Sequence, residues 1–188
     1  MKLPEVLRRD YVQSIVMIAV VLLVVLLFWY GLRFAYNIDN PLLAVASGSM
    51  EPVLYRGDLI LVEGIKNLSD IHAAPKDAAV PGDICVYQGP TELIVHRVIA
   101  MDYVNGEYVF TFRGDANSHS DPTVYGNQIV GRYTGFKIPV LGEIALAFSD
   151  FWVKVAFIGL WIVLLVIVEV LPWARKSDEK GEEGSKPL

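Results

Sequence analysis

A serine hydroxyl becomes a useful nucleophile only when a base removes its proton and hydrogen-bond donors receive the oxyanion that forms at the attacked carbonyl. Four positions of this chain could cooperate in that way. Ser49 lies in Ser47-Gly48-Ser49-Met50-Glu51-Pro52, where Gly48 lets the chain turn tightly and Pro52 restricts Glu51 to extended backbone. His96 stands in the middle of the apolar run LIVHRVIA, Leu93–Ala100, and a histidine's ordinary pKa of about 6.5 suits a base near neutral pH. Asp115 and Asp121 both fall in RGDANSHSDP, and an aspartate beside His96 would orient the imidazole and stabilise its cationic form.

Each residue also has an ordinary explanation. Ser-Gly-Ser is a common loop sequence, a histidine inside an apolar strand is usually structural, and a segment rich in Gly, Asn, Asp and Ser is a turn. By themselves these residues permit a Ser–His–Asp constellation without requiring it. The other candidates for chemistry are weaker. His72 and His119 have no Cys or His at metal-ligand spacing, so both read as exposed loop residues and no metal or organic cofactor is expected. Cys85, the only cysteine, cannot form an internal disulfide and reads as a small core residue in Ile84–Tyr87.

The elements that must hold these groups are β-rich. Asp58–Val62, Asp83–Tyr87, Leu93–Ala100, Tyr108–Phe112 and Gln128–Tyr133 are short apolar or β-branched runs bounded by Gly, Pro and Asp, and each is predicted as a strand. Asn105-Gly106 predicts a two-residue hairpin, because a type I′ turn needs positive φ at both positions. The polar, alanine-rich stretch Gly64–Pro81 reads as a loop between strands.

Two apolar blocks flank this β region and account for much of a composition that is 54% hydrophobic. Tyr11–Tyr30 is uncharged over 20 residues, enough helix to cross a hydrocarbon core of roughly 30 Å. It is longer than the apolar core of a cleavable signal, and Ala44-Val45-Ala46 lies too far beyond it for a cleavage site, so a permanent anchor is expected. Phe151–Pro172 predicts a second span, with Lys154 and Glu169 near its ends and Trp152 and Trp173 at interfacial positions.

Lys2, Arg8 and Arg9 before the first block, and Arg175, Lys176, Lys180 and Lys186 after the second, place both termini in the cytoplasm by the positive-inside rule. The expected organisation is a cytoplasmic N-terminus over 1–10, a transmembrane helix over 11–32, an extracytoplasmic β-rich domain over 33–150, a second transmembrane helix over 151–173, and a cytoplasmic disordered tail over 174–188. Between Tyr36 and Asp150 seven Lys and Arg face fourteen Asp and Glu, a balance unsuited to nucleic-acid binding.

Four blocks in this order, SGSMEP through Gly57-Asp58, then PGDICVY (81–87), then His96-Arg97-Val98, then Gly114-Asp115-Ala116-Asn117 with Asp121, resemble the type I signal peptidases. In that family the serine before Met is the nucleophile, which corresponds to Ser49. Histidine at position 96, where the bacterial branch carries lysine, resembles the archaeal and endoplasmic-reticulum branch. The resemblance implies Asp121 as the essential aspartate, Asp115 as a second important acid, and Ser47 as the hydroxyl that joins the Ser49 amide in the oxyanion hole. It does not say which aspartate touches His96.

The implied fold is mainly β, a partly open coiled barrel close to the membrane, with one N-terminal and one C-terminal transmembrane helix. The implied activity is serine-type cleavage of signal peptides after small residues. Val45, Leu54 and Val95 flank the motifs and are the candidates for shallow substrate pockets. Implied partners are signal peptides of pre-proteins delivered by the translocation channel, the lipid bilayer, and additional complex subunits. The alternative, a non-catalytic membrane scaffold of a signal-processing complex, would be expected to lack at least one of Ser49, His96, Asp115 and Asp121.

Overall fold

The computed structural model describes residues 5–149, 151–161 and 163. Helix α1, Glu5–Tyr36, contains the first apolar block and extends beyond the expected 11–32 at both ends. Its described apolar side chains from Val12 to Phe28 are exposed on every side, with Ile15, Met17 and Leu27 each more than 60% accessible. A helix with no packed face and no polar stripe suits a lipid environment, and Ile15–Tyr36 is long and apolar enough to cross a bilayer.

The helix stops where Asn37 adopts a left-handed φ of 50°, a common helix-ending conformation. Arg33 in the last turn complements the helix dipole and pairs with Asp39. The Gly64 amide then donates to the Tyr36 carbonyl at 2.8 Å, tying the end of the helix to the β region.

That region is one curled antiparallel sheet of seven strands: β1 Leu42–Ala44, β2 Leu59–Glu63, β3 Ile84–Gln88, β4 Leu93–Val104, β5 Glu107–Arg113, β6 Val124–Tyr125 and β7 Ile129–Ile138. The spatial order is β1-β2-β7-β3-β4-β5-β6, so β7 returns to insert between β2 and β3. All five predicted strands are present. The Asn105-Gly106 turn has φ of 53° and 91°, as the type I′ reading requires, and its favourable geometry lets β4 run past Ala100 to Val104, against β5.

Strands β1 and β6 were not anticipated; three and two residues are too short to show an alternating pattern. The stretch 64–81 is a loop with one 3-10 turn, Leu68–Asp70.

Two apolar clusters fill the curl. One gathers Val45, Met50, Leu54, Ile60, Val62 and Val86; the other gathers Cys85, Tyr87, Val98, Phe110 and Phe112. Burial pushes the Cys85 thiol up to about 12, the behaviour of an inert core thiol.

After β7 a short helix α2, Leu141–Ala147, follows. The second span expected over 151–173 is not supported. Among the described residues that stretch holds the helix Phe151–Trp161, which does not by itself pass as a span. Most of 162–173, and the tail 174–188, lie outside the described residues.

Candidate active site

Ser49 sits on a loop that leaves β1 and returns to β2. The Val45 amide donates to the Asp58 carbonyl and the Gly57 amide to the Val45 carbonyl, both at 2.9 Å, closing the loop at its base. Met50 and Leu54 anchor it from within, at 1% and 0% exposure, and both the Val53 and Leu54 amides donate to the Met50 carbonyl. The loop is thereby fixed while the side chain of Ser49 stays at the surface of the curl.

Lys137 secures the same loop from β7. Its ammonium donates to the Val53 carbonyl at 2.9 Å and to Asp58 Oδ2 at 2.7 Å, and the Tyr55 amide donates to that carboxylate as well. Burial alone would raise the Asp58 pKa, but the Lys137 hydrogen bond, the Tyr55 amide and the Lys137 charge together hold it below the ordinary carboxylate value.

His96 comes from β4, opposite Cys85 of β3. Its Nε2 lies 3.0 Å from Ser49 Oγ, and its Nδ1 lies 2.5 Å from Asp121 Oδ2. A carboxylate can only accept, so the Nδ1–H donates to Asp121 and leaves Nε2 to accept from the serine hydroxyl. The His96 and Asp121 side chains are 9% and 15% exposed.

Ser47 Oγ is 3.3 Å from Ser49 Oγ. Among the described residues the Ser49 amide has no hydrogen-bond acceptor, which leaves it available to a ligand.

Asp115 goes elsewhere. Its two oxygens accept from Arg97 Nε at 2.8 Å and Nη2 at 2.6 Å, a bidentate pair, while Arg97 Nη1 donates to the Gly82 carbonyl at 2.7 Å. Lys76 of the 64–81 loop donates to the Asp115 carbonyl at 3.0 Å.

The loop carrying both aspartates is tied to the serine loop by the Ala116 amide, which donates to the Ser49 carbonyl at 2.9 Å. Gly114 makes this approach feasible, because a Cβ there would fall 2.5 Å from the Ser49 carbonyl oxygen. At its far end the Asp121 amide donates to the Phe112 carbonyl at 2.8 Å, setting the carboxylate beneath His96.

Val45 and Val95 line a cavity of about 270 Å³ beside Ser49, together with Ala44, Leu93 and Ile94. Leu54 does not; it is fully buried and supports the serine loop from the core. His72 and His119 are exposed, His119 Nδ1 sharing a hydrogen bond with Ser118 Oγ at 2.7 Å. No cluster of potential metal ligands occurs among the described residues.

Tyr87, read from the sequence only as the end of an apolar strand, reaches the site. Its hydroxyl donates to Asp121 Oδ2 at 2.9 Å. The signal was faint: Cys85 and Tyr87 share a sheet face by strand alternation, but only the β3–β4 register reveals that this face is also that of His96.

A hydroxyl, an imidazole and a carboxylate joined in one hydrogen-bonded line form a constellation of the serine-hydrolase type. The chain is 31% identical over 148 residues to the signal peptidase complex catalytic subunit SEC11 of Saccharomyces cerevisiae, covering 71% of this chain and 81% of that protein. It is 29% identical over 181 residues to SEC11 of Tuber melanosporum, covering 89% and 95%, and 28% identical over 172 residues to SEC11C of Homo sapiens, covering 84% of each. The chain therefore belongs to the SEC11 family of signal peptidase catalytic subunits, the endoplasmic-reticulum and archaeal branch. No protein-family model matches it.

Proposed function

We propose that this chain is a membrane-anchored serine endopeptidase that removes signal peptides from secreted and membrane pre-proteins. The observation that carries this reading is the line Ser49–His96–Asp121, with separations of 3.0 and 2.5 Å. Such spacing lets His96 take the Ser49 proton as the hydroxyl attacks the scissile carbonyl, while Asp121 holds the tautomer and stabilises the imidazolium. His96 then protonates the departing amine, and a water activated by the same imidazole releases the acyl group from Ser49. The Ser49 amide and the Ser47 hydroxyl would receive the oxyanion, a role that the nearness of the two serine hydroxyls supports.

Substrate would bind as an extended strand. β1 is one of the two outer strands of the sheet, and β4 is unpaired on its β5 side before Arg97, so among the described residues both Leu42–Ala44 and Leu93–Val95 have an unpaired strand edge near the cavity. A peptide laid between them gains main-chain hydrogen bonds from both edges. The cavity of about 270 Å³ between Val45 and Val95 suits a small side chain next to the cleaved bond.

The charges before the first apolar block support a cytoplasmic 1–10 and an extracytoplasmic domain over 33–150. The pre-protein would arrive from the translocation channel through the membrane. The SEC11 relatives are named as subunits of a signal peptidase complex, which supports additional subunits here as well.

The test is cleavage of a precursor with a small-x-small site by the full chain in detergent or vesicles. Ser49→Ala should lower turnover by at least about 10³-fold while leaving folding and membrane insertion unchanged. Wild-type turnover by that variant would overturn the assignment.

A further inference from the structure

We propose that Tyr87 is a positioning residue for this reaction: by donating to the Asp121 oxygen that also holds His96, it fixes the carboxylate and tempers the negative charge that the imidazole faces. This rests on the Ser49–His96–Asp121 reading. Asp121 Oδ2 accepts from two donors, His96 Nδ1–H at 2.5 Å and Tyr87 O–H at 2.9 Å. The loop supplies only the carboxylate's backbone attachment, through the Asp121 amide on the Phe112 carbonyl. Tyr87 supplies the side-chain constraint. Its ring is itself immobilised, 4% exposed and stacked on Phe112 with centroids 4.6 Å apart.

The phenol remains a donor throughout the working pH range. Burial, then the Asp121 hydrogen bond and charge, push its pKa well above the ordinary tyrosine value. A phenol that donates to a carboxylate withdraws negative charge from the oxygen facing His96. The carboxylate is then a weaker stabiliser of the imidazolium than one that accepts from His96 alone.

The other ionisable groups around this pair come from every neighbouring element. Cys85 on β3 is opposite His96 and stays a thiol. Arg132 on β7 is turned to Glu63 and Asp83. Arg97 is held by Asp115, and Arg113 donates to the Asn117 carbonyl. Glu92 lies at the rim of the Ser49 cavity. None of these bonds Asp121, so among the described residues Tyr87 is its only side-chain partner besides His96.

The experiment compares wild type and Tyr87→Phe, as the full chain, in precursor cleavage from pH 5 to 9. Removing the hydroxyl should lower kcat about tenfold, the loss of one hydrogen bond to a charged positioning group, with KM unchanged. The acid limb of the kcat/KM profile should move to higher pH, because a carboxylate freed of its second donor favours the imidazolium.

A direct titration of the His96 imidazole by NMR, in the Ser49→Ala background with and without Tyr87→Phe, should show the same upward movement independently of turnover. A Tyr87→Phe enzyme whose acid limb and His96 titration coincide with wild type overturns the inference, whatever its thermal stability. His96→Ala separates the two levels. If it remains active the underlying reading fails, whereas an inactive His96→Ala beside an unaltered Tyr87→Phe removes Tyr87 alone.

Discussion

Asp115 and Asp121 lie six residues apart on one loop, yet they serve different strands of chemistry. Their partners, Arg97 and His96, are consecutive on β4, and consecutive residues of a strand point to opposite sides of the sheet. The loop wraps the strand and delivers one carboxylate to each side. Asp121 meets a histidine that faces Ser49; Asp115 meets a guanidinium that faces the Gly82 carbonyl and takes no part in the line to the serine. Position in the sequence does not separate their roles. The identity of the cation each one faces does.

The largest expected effect follows from the pair that points at the serine. Asp121→Asn keeps the side-chain shape but can present an N–H to Nδ1, favouring the wrong tautomer and removing the charge that stabilises the imidazolium. Turnover of a precursor should fall on the order of 10³- to 10⁴-fold with KM and Tm nearly unchanged. A fall of less than tenfold would place Asp121 with the structural acids.

Asp115→Asn should sharpen the contrast by failing differently. The Arg97 and Asp115 side chains are 11% and 14% exposed, so the variant leaves a mostly buried guanidinium without its counter-charge. A loss of roughly 3 kcal/mol is expected, or about 10 °C in Tm. The enzyme that remains folded should keep the wild-type acid limb. Replacing both partners, Arg97→Met with Asp115→Leu, should recover part of the stability, since it removes the charge rather than stranding it. If Asp115→Asn instead moves the acid limb at constant Tm, the division between the two aspartates collapses.

This division was only half legible beforehand. Residue types and motif order brought Ser49, His96 and the acidic loop into one argument, because short motifs survive without knowledge of the fold. The β-branched runs and Asn105-Gly106 located five strands and a hairpin by local pattern. What could not be read was everything fixed by non-local pairing. The insertion of β7 between β2 and β3 has no sequence signal at either end. The β3–β4 register, which turns Tyr87 toward His96, is likewise invisible in DICVY. Leu54 illustrates the opposite error. Proximity to Ser49 in sequence suggested a substrate contact, whereas the loop needs an apolar anchor and Leu54 points inward to provide it.

A third carboxylate extends the comparison at smaller amplitude. Asp58 is more deeply buried than the other two, and its cation, Lys137, holds the serine loop rather than the histidine. Its pKa is lowered in the folded chain, so the unfolded chain binds the proton first as pH falls. The stabilisation from Asp58 should therefore be complete above the unfolded value, about pH 4, and disappear as pH drops through the lower folded value.

Urea unfolding of the full chain in detergent, from pH 7 to pH 2.5, can test this against Asp58→Asn. The variant should be less stable by about 1–2 kcal/mol at pH 7, and the gap should narrow below pH 4. Its kcat should stay within a few-fold of wild type, because the loop retains its Met50 and Leu54 anchors. A gap that is constant with pH would mean that shape and hydrogen bonding, not charge, account for the role of Asp58. A kcat as low as that of Asp121→Asn would show that the position of Ser49 depends on Lys137 and Asp58 as strongly as its activation depends on His96.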